Sequence, residues 1–359
     1  MTLVIATIFR NSIHIVADSV VTTDIDESNE SVVEYTSFGE LNTQNDENIV
    51  LERVNKIELI NDNILFSFAG SEREGIEHYK KISDLLIGKN KSDVGDIIEK
   101  YYSINVFKEC EIVLAYIDIS PYLFCLNKHE IKLFSDDKSM VVLGSGSEDN
   151  NLMSQILATL FNTADRVRTF DEYLVLLVSV CQSSCTNSYS IKYGVGGFFN
   201  GAYVKYDSIK WADDTVYFLY SSNNFENERF IIEKFNRNNT VYINSFKGLN
   251  CFHSNYNMNY YKSEEELLKV WNDELVYLSN DFTFKYLVFI SFDYRNVTVL
   301  NSEKPDFNQK FIFIDRSIID GQEIIQLKIS DAIMNLLTQR MNSPNDDLSD
   351  GYGISINYC

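Results

Sequence analysis

Thr2 stands directly after Met1, and a residue that small makes removal of the methionine chemically easy. A free α-amine has a pKa of ~7.7–8.0, so near neutral pH it can take the proton of the hydroxyl on the same residue. Nucleophile and base then sit together. The chemistry needs three further parts: a cation to hold the amine's pKa down, a carboxylate to place that cation, and a backbone N–H for the developing oxyanion. Lys56, Asp18 and Gly70 are the candidates for these roles. Ser145, in the Gly-Ser-Gly run 144–146, can join the amine's hydrogen bonds. Each residue taken alone has an ordinary structural reading. Their order and context carry the argument.

The elements that must position them are readable. Residues 2–9 and 12–17 are short β-branched runs separated by Arg10-Asn11, which predicts two strands and a tight turn. Asp18 ends the second run. Lys56 opens "NKIELINDNILFSFAG", a strand, a turn at 61–63, and a strand closing on Gly70. Helices are expected from about Glu74 and over roughly 92–107. "CEIVLAYIDISPYLFCLN" reads as strand, turn, strand, with "HEIKLFS" as a further strand. "SMVVLGSGSEDNNLMSQILATLF" then runs from strand through turn to helix, a helix spans 169–186, and strands follow in "GVGGFFNGAYVKY" and "TVYFLYS". Strands, two helices, strands, two helices, strands is not the βαβα alternation of a parallel sheet. It predicts antiparallel sheets with helices on their outer faces.

Two stretches stand apart. Residues 24–52 carry no lysine or arginine and read as an acidic insert, a surface excursion with a short hairpin at Ser31–Phe38. From about 223 the chain turns rich in asparagine and aromatics. We divide it into a domain over 1–222 and a C-terminal α+β domain over 223–359. The latter is expected to hold a helix in "KSEEELLKVWNDELVYL", three strand regions, a short helix in "DAIMNLLTQRM" and a flexible tail at "NSPNDDLSDGYG". A chain of 359 residues exceeds what one core usually supports.

The net charge of -21 makes nucleic acid and membrane surfaces poor partners. No apolar run approaches the ~20 residues that span a bilayer. Leu3–Phe9 lacks the basic lead of a signal peptide, and the 6 cysteines are scattered, so a cytoplasmic location with reduced thiols is expected.

The motifs "TLVIATIFRNSIHIVADSVVT", "NKIELINDNILFSFAG", "VVLGSGSEDNNLMSQIL" and "GVGGFFNGAYV" resemble proteasome β-subunits and the HslV type of N-terminal-nucleophile hydrolase over residues ~2–210. The resemblance implies a four-layer αββα sandwich, within an α+β chain, carrying the additional C-terminal domain. It implies Thr2 as nucleophile, Asp18 and Lys56 as the supporting pair, Gly70 at the oxyanion and Ser145 beside the amine. Thr22 matches the threonine whose backbone pairs with an extended substrate, and Ser19 lies beside it. Thr186, Asn187 or Ser188 would replace the aspartate that proteasome subunits carry near the end of the fourth helix. By the same resemblance no propeptide is expected before Thr2, as in the HslV type. The interval to Lys56 is lengthened by the insert.

The implied activity is a threonine peptidase or amide hydrolase working through an acyl-ester, on peptide or protein, as a homo-oligomer. The alternative is an inactive scaffold of the same fold that works by assembly, with 24–52 or the C-terminal domain as its interaction surface. No metal or nucleotide cofactor is expected, and an ATPase partner rests on analogy alone. Cys181 and Cys185 are one helical turn apart and read as packed thiols. His14, His78, His129 and His253 are too dispersed for a metal cluster, and His14 is expected to point out of its strand. No G-x-S-x-G elbow supports a serine triad. The aromatics of 252–261 are candidates for a binding face.

Overall fold

The computed structural model describes residues 2–24, 36–38, 48–52, 54–163, 166–188, 190–206, 208–220, 230–237, 240–247, 250–256, 284–291, 296–301, 312–319, 322–329 and 353–357. The chain divides into two compact units. The first comprises Met1–Ala212 with Asn236–Val241, and the second Asp213–Phe235 with Tyr242–Cys359. The division falls at Ala212, before the expected 222, because the strand Thr215–Tyr220 pairs within the second unit.

The first unit is built on a hairpin. β1 (Val4–Phe9) and β2 (Ser12–Asp18) are joined by Arg10 and Asn11 at φ 48° and 61°. Two left-handed residues match the twist of the strands they join. β3 (Val20–Asp24) and β4 (Asn48–Glu52) pair antiparallel, so the acidic stretch leaves and re-enters on a two-stranded ribbon. Of the hairpin expected at 31–38, residues 31–35 lie outside the described ones, and 36–38 lie in a turn with all three side chains buried. β5 (Ile57–Ile60) and β6 (Ile64–Gly70) repeat the tight-turn device at Asn61 and Asp62.

α1 (Glu72–Leu86) begins two residues earlier than the apolar pattern suggests. Ser71 caps it, accepting from the Glu74 N–H, with Glu72 and Glu74 in the positive first turn. α2 (Lys91–Ile104) follows, then β7 (Cys110–Ile117), β8 (Pro121–Leu126), β9 (Ile131–Phe134) and β10 (Met140–Leu143). A short 3-10 turn, Ser145–Glu148, leads into α3 (Asn150–Thr163) and α4 (Phe170–Ser188). β11 (Phe199–Lys205) and β12 (Ser208–Trp211) complete the unit.

Two five-stranded antiparallel sheets result, ordered β10-β1-β2-β11-β12 and β5-β6-β7-β8-β9. Small and branched side chains from both, among them Ala6, Ile15, Val204, Leu65 and Ala115, form one buried cluster. α1 packs on β6 and β7, while α4 packs on β2 and β11. α4 lies close: a Cβ at Gly201 would meet Leu174 and Val178 at 2.8 Å. That helix lies between the sheet and α3, so its run Tyr173–Val178 is apolar and buried throughout, and Ser179, Gln182, Ser183 and Ser184 are buried with it.

His14 is a correction. It does not point outward but is fully buried, stacked on Tyr203 (centroids 5.0 Å) with Tyr173 edge-on at 4.8 Å. The ring faces α4, where aromatic packing replaces the water it would otherwise have met. Cys181 and Cys185 are buried and are not joined in a disulfide.

The second unit carries a seven-stranded sheet. Its strands are β13 (Thr215–Tyr220), β14 (Phe230–Arg237), β15 (Thr240–Lys247), β16 (Asn250–Tyr256), β17 (Tyr286–Ser291), β18 (Asn296–Asn301) and, from the end of the chain, Gly353–Asn357. β13 and β17 are parallel neighbours, and the C-terminal strand pairs antiparallel with β18. Numbered in chain order, β19 (Ile312–Ile319) and β20 (Gln322–Ile329) form a separate antiparallel pair, and Gly353–Asn357 is β21. Of the aromatic stretch 252–261, residues 252–256 belong to β16 and 257–261 lie outside the described residues, as do the helices expected over 262–278 and 331–341 and most of the expected tail. No helix among the described residues is long and apolar enough to cross a membrane.

Candidate functional site

Thr2, Asp18, Lys56 and Ser145 meet at one corner of the first unit. The hairpin brings the first two together. With Val4 opposite Ala17, the next backbone step sets Leu3 beside Asp18. Leu3 N donates to Asp18 Oδ1 at 3.1 Å, and Asp18 N donates to the Leu3 carbonyl at 3.1 Å. Asp18 Oδ2 accepts from Gly196 N at 3.2 Å, at the foot of β11.

Lys56 enters just ahead of β5 and is 1% exposed. Its Nζ donates to Asp18 Oδ1 at 2.7 Å, to Thr2 Oγ1 at 3.0 Å and to the Val20 carbonyl. An ammonium has three protons, and three acceptors surround it. Burial pushes Lys56 below the usual lysine range, against the attraction of Asp18 and Glu72. Burial likewise pushes Asp18 above the usual carboxylate range, against Lys56 and the Leu3 and Gly196 N–H groups. Desolvation raises the energy of both charges, and mutual contact keeps them paired.

The Gly144–Glu148 turn closes the other side of Thr2. Gly146 N donates to the Thr2 carbonyl at 3.2 Å, and Thr2 N lies 3.4 Å from Ser145 Oγ. Gly144 has φ 85°, and a Cβ there would fall 2.1 Å from the Thr2 carbonyl oxygen. Only glycine permits that approach. Glu111 on β7 fixes the turn by accepting from Gly144 N at 2.8 Å.

Gly70 ends β6 at φ 98°, where a Cβ would fall 2.0 Å from the Glu109 carbonyl. Its neighbour Ala69 touches the space beside Gly144, so the end of β6 abuts the turn that holds Thr2.

The remaining expected residues fall elsewhere. Thr22 is exposed on β3, opposite Val50. Ser19 is fully buried; its hydroxyl accepts from Phe198 N at 2.9 Å and donates to Glu52 at 3.3 Å. Thr186 does not join the cluster: it sits on α4 and its hydroxyl donates to the Gln182 carbonyl of the same helix at 2.8 Å. Asn187 and Ser188 end α4, with side chains outside the described residues.

Three contributors were not foreseen. Glu52 resembles any solvated acidic residue in its stretch, and Glu111 any half-exposed strand glutamate. The Gly196-Gly197 pair did leave a signal, since paired glycines before a strand mark unusual backbone, and their φ values are 154° and 69°. Among the described residues, no group of three or more His, Cys, Asp or Glu could hold a metal ion.

No protein-family model and no curated protein matches this chain. Among solved structures it is similar to the eukaryotic HslV from Trypanosoma brucei, with 12% sequence identity and a TM-score of 0.38 over 57% of this chain and 100% of that chain.

Proposed function

We propose that this chain is an amide hydrolase of the threonine-peptidase type, acting once Thr2 is N-terminal. The observation that carries the reading is the buried contact of Lys56 Nζ with Thr2 Oγ1 at 3.0 Å while the same nitrogen is held by Asp18 at 2.7 Å. A buried ammonium has to place all three protons, and here one is placed on the hydroxyl of the residue that would be the nucleophile. The motif resemblance to N-terminal-nucleophile hydrolases supports the same reading, and with it the four-layer αββα arrangement for the two sheets and their helices.

In the proposed reaction Thr2 Oγ1 attacks the scissile carbonyl and its proton passes to the α-amine. Lys56, fixed by Asp18, supplies the positive charge that favours the neutral amine and the emerging alkoxide. The Gly70 N–H takes the oxyanion. The amine returns its proton to the leaving nitrogen, and the acyl-ester on Thr2 is then released by water. Ser145 orients the amine through the contact at 3.4 Å. By the same resemblance we propose a homo-oligomer acting on peptides in the cytoplasm.

The test combines an intact mass with turnover of fluorogenic peptides. We expect protein lacking Met1 to cleave, Thr2→Ala to lose turnover with its fold intact, and Lys56→Ala to lose about 10²–10³-fold in kcat, the usual scale for removing an electrostatic stabiliser. Unchanged cleavage by either variant rejects the mechanism. A second reading, the inactive scaffold, draws on the burial of Thr2, which is 1% exposed. Retained Met1 with no turnover supports it.

A further inference from the structure

Glu52 closes β4, at the end of the acidic stretch and four residues before Lys56. Its carboxylate is engaged on both sides. Oε1 accepts from Phe198 N at 2.7 Å, from Ser37 Oγ at 2.7 Å and from Ser19 Oγ at 3.3 Å, and Oε2 accepts from Ser37 N at 2.7 Å. The Phe198 N–H is shared with Ser19 Oγ. Gly197 fits so closely beneath this group that a Cβ would fall 2.4 Å from Ser19 Oγ and 2.8 Å from Glu52 Oε1. One residue back, Gly196 N donates to Asp18 Oδ2. An unbroken chain of short contacts thus runs from Ser37 through Glu52 and the Gly196–Phe198 backbone to Asp18, Lys56 and Thr2.

We propose that Glu52 is a positioning residue for the Asp18–Lys56 pair, and that through Ser37 it ties the acidic stretch to that pair. Its geometry is what a surface charge lacks. Four hydrogen-bond donors converge on one carboxylate, two of them backbone N–H groups from segments far apart in sequence, and hydrogen bonds to a charged acceptor are the stronger kind. The turn it holds has a second brace: Gln182 Nε2 donates to the Gly197 carbonyl at 2.8 Å, and Phe199 N donates to Gln182 Oε1 at 3.0 Å. Loss of Glu52 therefore leaves the turn attached while freeing the residue that aligns Asp18. The consequence for turnover rests on the hydrolase reading; the consequence for the Lys56 environment does not.

The experiment compares wild type, Glu52→Ala and Glu52→Gln, each lacking Met1. Two quantities are read: peptide turnover, and the NMR signal of the hydrogen-bonded Lys56 Nζ protons. In Glu52→Ala we expect kcat to fall about 10–100-fold, the scale of a misplacement near 1 Å, with the Lys56 signal shifted or lost to exchange. KM is expected to stay within about twofold, as when a transition-state contact alone is weakened. Glu52→Gln keeps an oxygen for Phe198 N but sets an amide N–H against Ser37 N–H, so it should regain most of kcat and the Lys56 signal. Unchanged kcat and an unchanged Lys56 signal in Glu52→Ala overturn the proposal. A lower melting temperature with the Lys56 signal in place does so too, since the role is then structural only. If wild type hydrolyses no peptide, the hydrolase reading fails, and the Lys56 signal alone still decides the positioning role.

Discussion

Each unit buries a lysine, and the two are buried differently. Lys56 sits at the corner of the first unit with a carboxylate, a hydroxyl and a carbonyl around its three protons. Lys234 is 2% exposed on β14, opposite Thr215 of β13, and burial pushes its amine down to about 7, with only part of that offset by the attraction of Asp214. Both ammonium groups have lost water. One loss is answered by close hydrogen-bonded partners, the other by a neighbouring charge. The difference teaches that burial alone does not mark a working lysine. What marks Lys56 is where its protons go, and in particular that one goes to the buried hydroxyl of Thr2, the candidate nucleophile.

Lys56→Met should break this contrast hardest. It strands Asp18 as a buried carboxylate with two N–H donors and no cation, and breaking such a pair typically costs about 3–5 kcal/mol. Urea denaturation at pH 7 measures it; a loss well under about 1 kcal/mol would mean that the pair is solvated and the corner open. Lys234→Met should act in the opposite sense. A folded-state pKa near 7 against an unfolded value near ~10.4 means that the unfolded chain binds the extra proton between those limits. Stability from this group is therefore complete above the unfolded value and declines as pH falls toward about 7. Between pH ~7 and ~9 it should contribute a slope of about 1.4 kcal/mol per pH unit, absent in Lys234→Met. Denaturation at three pH values checks it, and an equal slope in both proteins would place Lys234 in water.

What was legible in the sequence was local. Arg10-Asn11 and Asn61-Asp62 announce tight turns, so strand pairing and the meeting of Thr2 with Asp18 followed from short-range chemistry. Lys56 and Ser145 were legible because each sits at the mouth of a recognisable strand or turn. Glu52 was not, because its partners Ser37 and Phe198 come from two other segments and no pattern in one strand predicts a convergence of three. Which of Thr186, Asn187 and Ser188 stands nearest the site was not legible, because a threonine near a helix end has an acceptor available in its own helix, and the Thr186 hydroxyl uses the Gln182 carbonyl. The second unit was legible as strands from its apolar runs, but the parallel pairing of β13 with β17 was not, since alternation fixes a strand's faces and not its neighbour.

His14 sharpens the comparison from the side of a neutral base. The Ser12 hydroxyl donates to the Phe9 carbonyl at 2.6 Å and lies 2.8 Å from His14 Nε2. Its one proton is used, so Nε2 carries the hydrogen and Nδ1 presents a bare lone pair, buried without a partner. Protonating Nδ1 would place a charge among Tyr173, Tyr203 and Phe170, with Asp171 the acidic group that draws on it. Desolvation accordingly lowers His14 to about 3, more than Asp171 restores. The unfolded histidine, near ~6.5, takes up its proton first. Stability from His14 is thus complete above pH ~6.5 and declines as pH falls through the interval down to about 3. Over pH ~6.5 to ~5 the decline should amount to roughly 2 kcal/mol. His14→Phe keeps the aromatic stack and has nothing to titrate, so its stability should change less with acid than that of the wild type. If both proteins lose stability equally across that interval, His14 is already charged in the fold, and the corner built on Thr2 would share a strand with a buried cation rather than a neutral ring.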